Sequence, residues 1–336
     1  MAKRVSLAHG EGGELTHQLI NDVFIKAFNH KEQTKFDSAF INITSERMAV
    51  TTDSYVVNPL FFPGGDIGKL AVTGTINDLA VSGAIPLGIT AGFIIEEGFL
   101  ISDLRKIVQS MAIEAEKSGV KIVAGDTKVV EKGSADGVFI NTTGIGIMHR
   151  KDQLKPETIK TGDSIIISGT IGDHGIAILS ARQELGLLTD VKSDCAVLTH
   201  MIRNLMDYSE GIRIMRDPTR GGLATSLVEL SEDFGFTAEI DDSTIPIRDD
   251  VHGACDILGF DPLYLANEGK IVMIVDPSKE IEILNRLKEY EAGRDACVIG
   301  RIVECNDSKG KVLLKTPLGT TRRLHRLSGM LLPRIC

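Results

Sequence analysis

Tryptophan is absent from the 336 residues, and aromatic side chains make up only 5% of them. Flat platforms on which single-stranded nucleic acid stacks are therefore scarce. Positive charge is also short: 37 Lys and Arg stand against 46 Asp and Glu, a formal net charge of −9. Phosphate backbones are held chiefly by Lys and Arg, so no nucleic-acid partner is expected. The five cysteines, Cys195, Cys255, Cys297, Cys305 and Cys336, are odd in number. None are spaced as CxxC and no Cys/His group has zinc spacing, which argues against a disulfide framework or a structural zinc. No uninterrupted apolar run approaches the roughly 20 residues of a membrane-crossing helix. The Lys3-Arg4 pair is not followed by the apolar core of a secretory signal. The expectation is a reduced, cytoplasmic protein with no membrane partner.

Hydrophobic residues at 43% and charged residues at 25% are ordinary for a globular chain. The length suits two domains, one over 1–150 and one over 155–327, divided by the charged, Pro-containing stretch Arg150 to Pro156. A short tail, 328–336, follows. Many of the 34 glycines sit in short clusters beside Asp or Lys, where a backbone can approach phosphates closely.

The tail ends Leu331-Leu332-Pro333-Arg334-Ile335-Cys336. Pro333 resists helix and strand, termini are loosely held unless tied down, and eight extended residues from Gly329 span roughly 26 Å. The last sulfur therefore has reach, and Leu331, Leu332 and Ile335 suit an apolar groove. Taken alone, the tail reads more readily as a frayed end whose thiol does nothing. It is not a prenylation signal, whose Cys stands four residues from the end.

Near the other end, His9-Gly10-Glu11-Gly12-Gly13 precedes apolar residues at helical spacing from Leu15 to Ala27. A glycine loop opening onto a helix presents N–H groups to phosphate; a flexible arm is the bland alternative. Residues 31–46 read as a loop or hairpin. A strand over 48–53 ends at Asp53, and a helix over 67–82 carries Asn77 and Asp78. Ile85 to Glu96 reads as a strand. A helix capped by Ser102 and ended by Gly119 reads as core cover. A short buried strand runs from Val120 into Asp126-Thr127-Lys128, and Gly137 to Met148 is a last strand of the first half. Carboxyl ends of strands are where open α/β sheets gather ligands.

In the second half, Gly169, Gly172 and Gly175 turn strand 165–168 into a helix, with His174 read as a packing residue. A helix over 195–207 and a strand over 213–215 lead to Asp217, then to Arg220-Gly221-Gly222, which opens a helix to Phe234 and suits an anion. Asn267-Glu268-Gly269-Lys270 precedes strand 271–275. Ser278 is expected to cap a helix to about Tyr290. Strands near 297–304 and 311–315 follow, and Arg322, Arg323, His325 and Arg326 read as a solvated basic face. Asp53, Asp78, Asp126 and Asp217, with glycine-rich loops and no Walker or kinase signature, suggest a carboxylate-bound Mg²⁺ carrying a nucleotide.

Taken in order, His9-Gly10-x-Gly12-Gly13, Thr52-Asp53-Ser54, Asn77-Asp78-Leu79-Ala80, Gly125-Asp126-Thr127-Lys128, Asp217-x-Thr219-Arg220-Gly221-Gly222, Asn267-Glu268-Gly269-Lys270 and Pro333-Arg334-Ile335-Cys336 resemble the hydrogenase maturation factor HypE family of the PurM-like ATP-binding superfamily. The aspartate motifs are shared across that superfamily, whereas the terminal motif is particular to the family. The resemblance implies an α/β two-domain PurM-like fold whose first domain dimerises through its sheet and whose second is a sheet covered by helices. It implies ATP and Mg²⁺, the carbamoyltransferase HypF and a HypC–HypD iron scaffold as partners, and a homodimer. The implied activity is ATP-dependent dehydration of a carbamoyl group on Cys336 to a thiocyanate, which supplies cyanide to NiFe-hydrogenase iron. Cys336, Glu268 and Lys128 are then the expected catalytic residues, with Glu268 the base. His9, Gly10, Gly12, Gly13, Asn77, Thr127, Arg220 and Gly221 are expected at the nucleotide, and Asp53, Asp78, Asp126 and Asp217 at the metal. Competing readings are another PurM-like enzyme, of selenophosphate synthetase or thiamine-phosphate kinase type, and a non-enzymatic metal-assembly protein.

Overall fold

Period-two apolar runs build two sheets, and helices rich in small and branched residues cover them. The computed structural model describes residues 13–19, 39–43, 46–148, 154–182, 186, 189–305, 309–329 and 334–336. After helix α1 (Glu14–Leu19), strands β1 (Ala39–Ile43) and β2 (Glu46–Tyr55) form a hairpin. A two-stranded ribbon, β3 (Phe61–Phe62) and β4 (Gly65–Asp66), leads into helix α2 (Ile67–Val81). Then come β5 (Ile85–Glu96), helix α3 (Ile101–Lys117), β6 (Lys121–Val130) and β7 (Val138–Met148). The first sheet runs β1-β2-β7-β5-β6, with β5 and β6 parallel around α3 and its other pairs antiparallel.

Helix α2 has almost no polar face. Asp66 caps it by accepting Gly68 N–H at 2.7 Å and Lys69 N–H at 3.0 Å, and Ile67, Leu70, Ile76 and Leu79 are fully buried. Each such side chain stabilises by about 1.5–3 kcal/mol. Helix α3 begins one residue before the expected cap: Leu100 is the N-cap without a side-chain bond, and Ser102 lies in the first turn. Gly119 takes the expected left-handed conformation after it, with φ +69°.

Strand β6 corrects the sequence reading. It is exposed along its length, Val123 and Val129 by 62% and 69%. An apolar run of this kind signals burial only if something covers it, and in one chain β6 is the uncovered edge.

The second sheet contains β8 (Ser164–Ile167), β9 (Ile212–Arg216), β10 (Phe236–Asp241), β11 (Val272–Val275), β12 (Cys297–Cys305), β13 (Lys311–Lys315) and β14 (Thr321–Leu324), in the order β14-β13-β10-β12-β8-β11-β9. Its helices are α4 (Asp173–Arg182), α5 (Thr199–Leu205), α6 (Gly222–Phe234), α7 (Asp249–Leu258) and α8 (Glu280–Lys288). The unbroken apolar run of β8 is explained by burial on both faces: Ile165 and Ile167 face one cluster and Ile166 the other.

Helix α5 starts at Thr199, later than read, because the chain from Asp194 to Leu198 serves other elements described below. Ser278 does not cap α8. Its N–H and hydroxyl go to Asp276, and Lys279 is the cap residue. The basic stretch after β13 is exposed at Arg322, Arg323 and His325, as read, and it also carries two ion pairs, Arg322 with Asp261 and Arg326 with Glu232. The expected helix beyond Leu19 lies outside the described residues.

Candidate active site

The floor of the site is built by alternation on β2. Thr51, Asp53 and Tyr55 share the face turned toward α2. Thr51 donates its hydroxyl to Asp78 at 2.8 Å, and Tyr55 donates to Asp53 at 3.3 Å while bonding the Thr75 hydroxyl at 3.2 Å. This approach requires a glycine on the helix, since a Cβ on Gly74 would stand 2.4 Å from the Tyr55 oxygen. Burial, then the carboxylates Asp53 and Asp78, push the Tyr55 phenol well above its ordinary range.

One wall is the turn from β9 into α6. Gly221 and Gly222 have φ +77° and +64°, and a Cβ on Gly222 would meet the Leu263 and Leu265 carbonyls at 2.5 and 2.6 Å. Asp217 is buried here, while Arg220 stays open to solvent at the turn. The charge of Cys336 raises the Arg220 guanidinium first, and Asp53, Glu268 and Tyr55 add to it against the cost of desolvation. Arg220 is thus electrostatically coupled to Asp53 on β2, whose strand runs two residues past the expected end, to the buried Glu268 and to the tail.

The opposite wall is the loop before β11. Asn267 bolts three segments together: its Oδ1 accepts Gly172 N–H at 2.7 Å, and its Nδ2 donates to the Pro218 and Leu265 carbonyls at 2.9 and 3.0 Å. Asp194 accepts the N–H groups of Glu268 and Gly269 at 3.0 and 3.1 Å, with Lys270 Nζ 3.8 Å away. Glu268 is 4% exposed, and its Oε1 is sealed from solvent with no hydrogen-bond partner among the described residues. Desolvation raises its carboxyl well above the usual range, helped by Asp194, Asp217 and Asp53 and opposed by Arg220. A carboxyl of raised proton affinity with an unsatisfied oxygen suits proton abstraction.

The tail lies in this cleft. Val56 N–H donates to the Cys336 carbonyl at 3.1 Å and Asn58 N–H to the Arg334 carbonyl at 3.2 Å, extending the chain beyond β2. Arg334 donates Nε to the Val56 carbonyl at 2.7 Å, pairs with Asp136, and lies 5.7 Å over the Phe139 ring. Arg182 donates to the Arg334 carbonyl at 2.9 Å. Ile335 is 6% exposed, packed in the core that joins α2 to α4 and α7, and Cys336 packs at its margin.

The structure therefore brings Asp53, Asp78, Asp217, Arg220, Gly221, Glu268 and Cys336 around one cleft. It leaves Asp126, Thr127 and Lys128 elsewhere. Asp126 pairs with Lys128 at 2.8 Å on β6, three strands from β2, and both side chains are more than two-thirds exposed. At about 4.8 Å per strand that is roughly 14 Å, too far for Asp126 to share an ion with Asp53 in one chain. Asn77 is committed to structure: it donates to the Ala196 carbonyl and accepts Leu198 N–H, both at 2.9 Å. His9, Gly10 and Gly12 lie outside the described residues, while Gly13 packs against Leu327, whose carbonyl oxygen would be 2.1 Å from an added Cβ.

Tyr55, Asp136, His174, Arg182 and Asp194 were not anticipated at the site. Tyr55 was legible in principle, two residues after Asp53 on the same face. The other four act through contacts across the chain.

The sequence matches two families in tandem: AIR synthase related protein, N-terminal domain, over residues 35–148, and AIR synthase related protein, C-terminal domain, over 160–312. It is 46% identical over 337 residues to the carbamoyl dehydratase HypE of Rhodobacter capsulatus, covering 99% of this chain and 98% of that one. The chain belongs to the HypE carbamoyl dehydratase family. HypE of Escherichia coli K12 is 44% identical over 338 residues, covering 99% of both chains. Among solved structures, that of a HypE–HypF complex aligns with TM-score 0.86 and 47% identity, covering 92% of this chain and 99% of that one. A HypE in complex with ATP aligns with TM-score 0.83 and 42% identity, covering 99% and 100%. The two-domain α/β fold is that of HypE. Thiamine monophosphate kinase from Aquifex aeolicus, at 16% identity and TM-score 0.67 over 92% and 99% of the two chains, shares the fold alone.

Proposed function

We propose that this chain dehydrates an S-carbamoyl group on its own Cys336 to a thiocyanate, consuming ATP, and so supplies cyanide for NiFe-hydrogenase iron. One arrangement carries the reading: Cys336 packs beside the core that holds Ile335, its charge is coupled to Arg220, and the buried Glu268 Oε1, coupled to the same Arg220, has no hydrogen-bond partner among the described residues. A HypE relative solved with ATP supports the nucleotide, and one solved with HypF supports that carbamoyl donor.

The balance is simple. The group –S–C(=O)–NH₂ and ATP give –S–C≡N, ADP, phosphate and a proton. ATP supplies the phosphoryl group that converts the amide oxygen into a leaving group. Glu268 takes a proton from the nitrogen, a step typically worth ~10²–10⁴-fold. Arg220 offsets negative charge growing on the departing oxygen. The inserted tail keeps water from the reacting carbon.

The donor chemistry fits Mg²⁺ in part. Asp53 and Asp78 offer hard carboxylate oxygens oriented by Tyr55 and Thr51, and Asp217 lies nearby. Among the described residues no three His, Cys, Asp or Glu side chains are grouped to hold a metal. Mg²⁺ commonly takes one or two carboxylates together with phosphate oxygens. The loop His9, Gly10, Gly12 and Gly13 would meet those phosphates, and Mg²⁺ would neutralise them.

Lys128, Thr127 and Asp126 belong to the same chemistry if β6 pairs with a second copy, making a homodimer through the first sheet. The exposed Val123 and Val129 on that edge support this. Two PurM-like domains, 1–150 and 155–327, and a tail, 328–336, fit the order of the motifs. A HypC–HypD scaffold would receive the cyanide in the cytoplasm. Among the described residues no helix is long and apolar enough to cross a membrane.

The test is intact mass spectrometry of the full chain carbamoylated at Cys336. Adding ATP should remove the mass of one water at that residue. No loss with wild type, or equal turnover by Glu268→Gln, would end the reading.

A further inference from the structure

The His174 ring sits between the tail and the core with both nitrogens engaged. Nε2 is 2.8 Å from the Ile335 carbonyl oxygen, and Nδ1 is 2.8 Å from the Ser193 hydroxyl. A carbonyl only accepts, so Nε2 carries the hydrogen. Nδ1 is then the acceptor, and Ser193 donates to it while accepting Cys195 N–H at 3.1 Å. Ser193 is itself held by its N–H on the Pro63 carbonyl at 2.8 Å, and Phe62 meets the imidazole edge-on at 5.6 Å. The ring is wholly buried and, by desolvation, its pKa is lowered, so it is neutral. This chain of bonds leaves one tautomer and one orientation.

We propose that His174 is a positioning residue for the dehydration reaction: by donating Nε2–H to the Ile335 carbonyl it holds the last peptide of the tail and presents Cys336 to Arg220 and Glu268. The proposal rests on the functional reading above, and goes beyond it by naming the group that selects the inserted tail. His174 reads a backbone carbonyl, so it senses where the tail lies in register rather than which side chain it bears. Val56 holds the neighbouring carbonyl, that of Cys336, from the first sheet. The two final residues are therefore gripped from both halves of the molecule. The His174 bond exists only when the tail is in place, and a contact made in one state alone is what shifts a two-state equilibrium.

The experiment compares full-length wild type, His174→Leu, His174→Gln and Ser193→Ala. Three quantities are measured: iodoacetamide modification of Cys336 resolved by peptide mass, ATP affinity, and single-turnover loss of water from carbamoylated Cys336. Losing one neutral hydrogen bond predicts roughly fivefold faster alkylation in His174→Leu. Turnover should fall further, by up to roughly 100-fold, because a misplaced reactant is costly, while ATP affinity holds within about twofold. His174→Gln retains a side-chain N–H donor and should recover much of both properties. Ser193→Ala does not touch the tail, yet should raise alkylation by freeing the tautomer. Should His174→Leu fail to fold, the Gln and Ala variants decide the matter alone. Wild-type alkylation and turnover in the folded Leu variant would overturn the proposal, as would a Gln variant no better than Leu or an unaltered Ser193→Ala. If wild type never loses water but His174→Leu still bares the thiol, the tail contact stands and the dehydratase reading falls.

Discussion

The carboxylate of Asp194 accepts the backbone N–H of Glu268 at 3.0 Å, from 74 residues away in the chain. The same carboxylate holds Gly269, so Asp194→Ala strands two N–H groups. Each costs about 1–3 kcal/mol when buried, and a loss of about 2–6 kcal/mol is expected in urea unfolding. Asp194→Asn keeps an acceptor and should lose less. An Ala variant with the wild-type midpoint would show that the staple contributes nothing.

Gly74→Ala places a methyl group 2.4 Å from the Tyr55 hydroxyl. Tyr55 must then leave Thr75 and Asp53, at an expected cost of about 1–3 kcal/mol from overpacking. Weaker ATP binding, read by calorimetry, should accompany the loss. Unchanged affinity would detach this floor from the nucleotide.

Arg220→Met removes the cation whose charge is coupled to Cys336, Asp53, Glu268 and Tyr55. Single-turnover dehydration should fall by about 10²–10³-fold, as when one stabilising donor is lost at a developing charge. A drop smaller than tenfold would assign Arg220 to folding or to binding alone.

Lys128→Ala tests the second copy. Lys128 and Asp126 are 69% and 68% exposed, so losing their solvent-screened pair should leave the urea midpoint close to that of wild type. Turnover should nevertheless collapse. Mixing Lys128→Ala chains with Glu268→Gln chains should restore part of the activity if the two residues serve one site from two copies. Activity that stays absent in exchanging mixtures counts against a shared site.

Acid should loosen the fold through His174. Burial lowers its pKa from the ordinary 6.5. Between the lowered value and 6.5 the unfolded chain binds a proton that the folded chain does not. Stability from this group is therefore full above 6.5 and is lost as pH falls through the window below it. Urea unfolding at stepped pH should show a shallower acid slope in His174→Gln than in wild type. Equal slopes would mean that other groups carry the acid sensitivity.

Local patterns made much of the architecture legible. The strand from Ile85 to Glu96 has the bounds read from its apolar run, and the glycines after Arg220 mark the start of α6 because φ near +70° suits few other residues. The reading of β6 as buried failed for a physical reason: an edge strand and a central strand have the same period, and only what lies beside them distinguishes the two. Ser278 looked like a cap, but Asp276 competes for its N–H and hydroxyl.

Short motifs by themselves determined the chemistry on offer, because a strand-end carboxylate, a glycine turn or a terminal thiol needs only its neighbours in the chain to be recognised. Tertiary structure alone decided which of these groups meet. Asp136 pairs with the Arg334 guanidinium, and His174, Arg182 and Val56 hold the tail from 152 to 278 residues away through hydrogen bonds between backbone carbonyls and distant donors. Such bonds leave no periodicity in the sequence, since the donor recognises a carbonyl that every residue possesses.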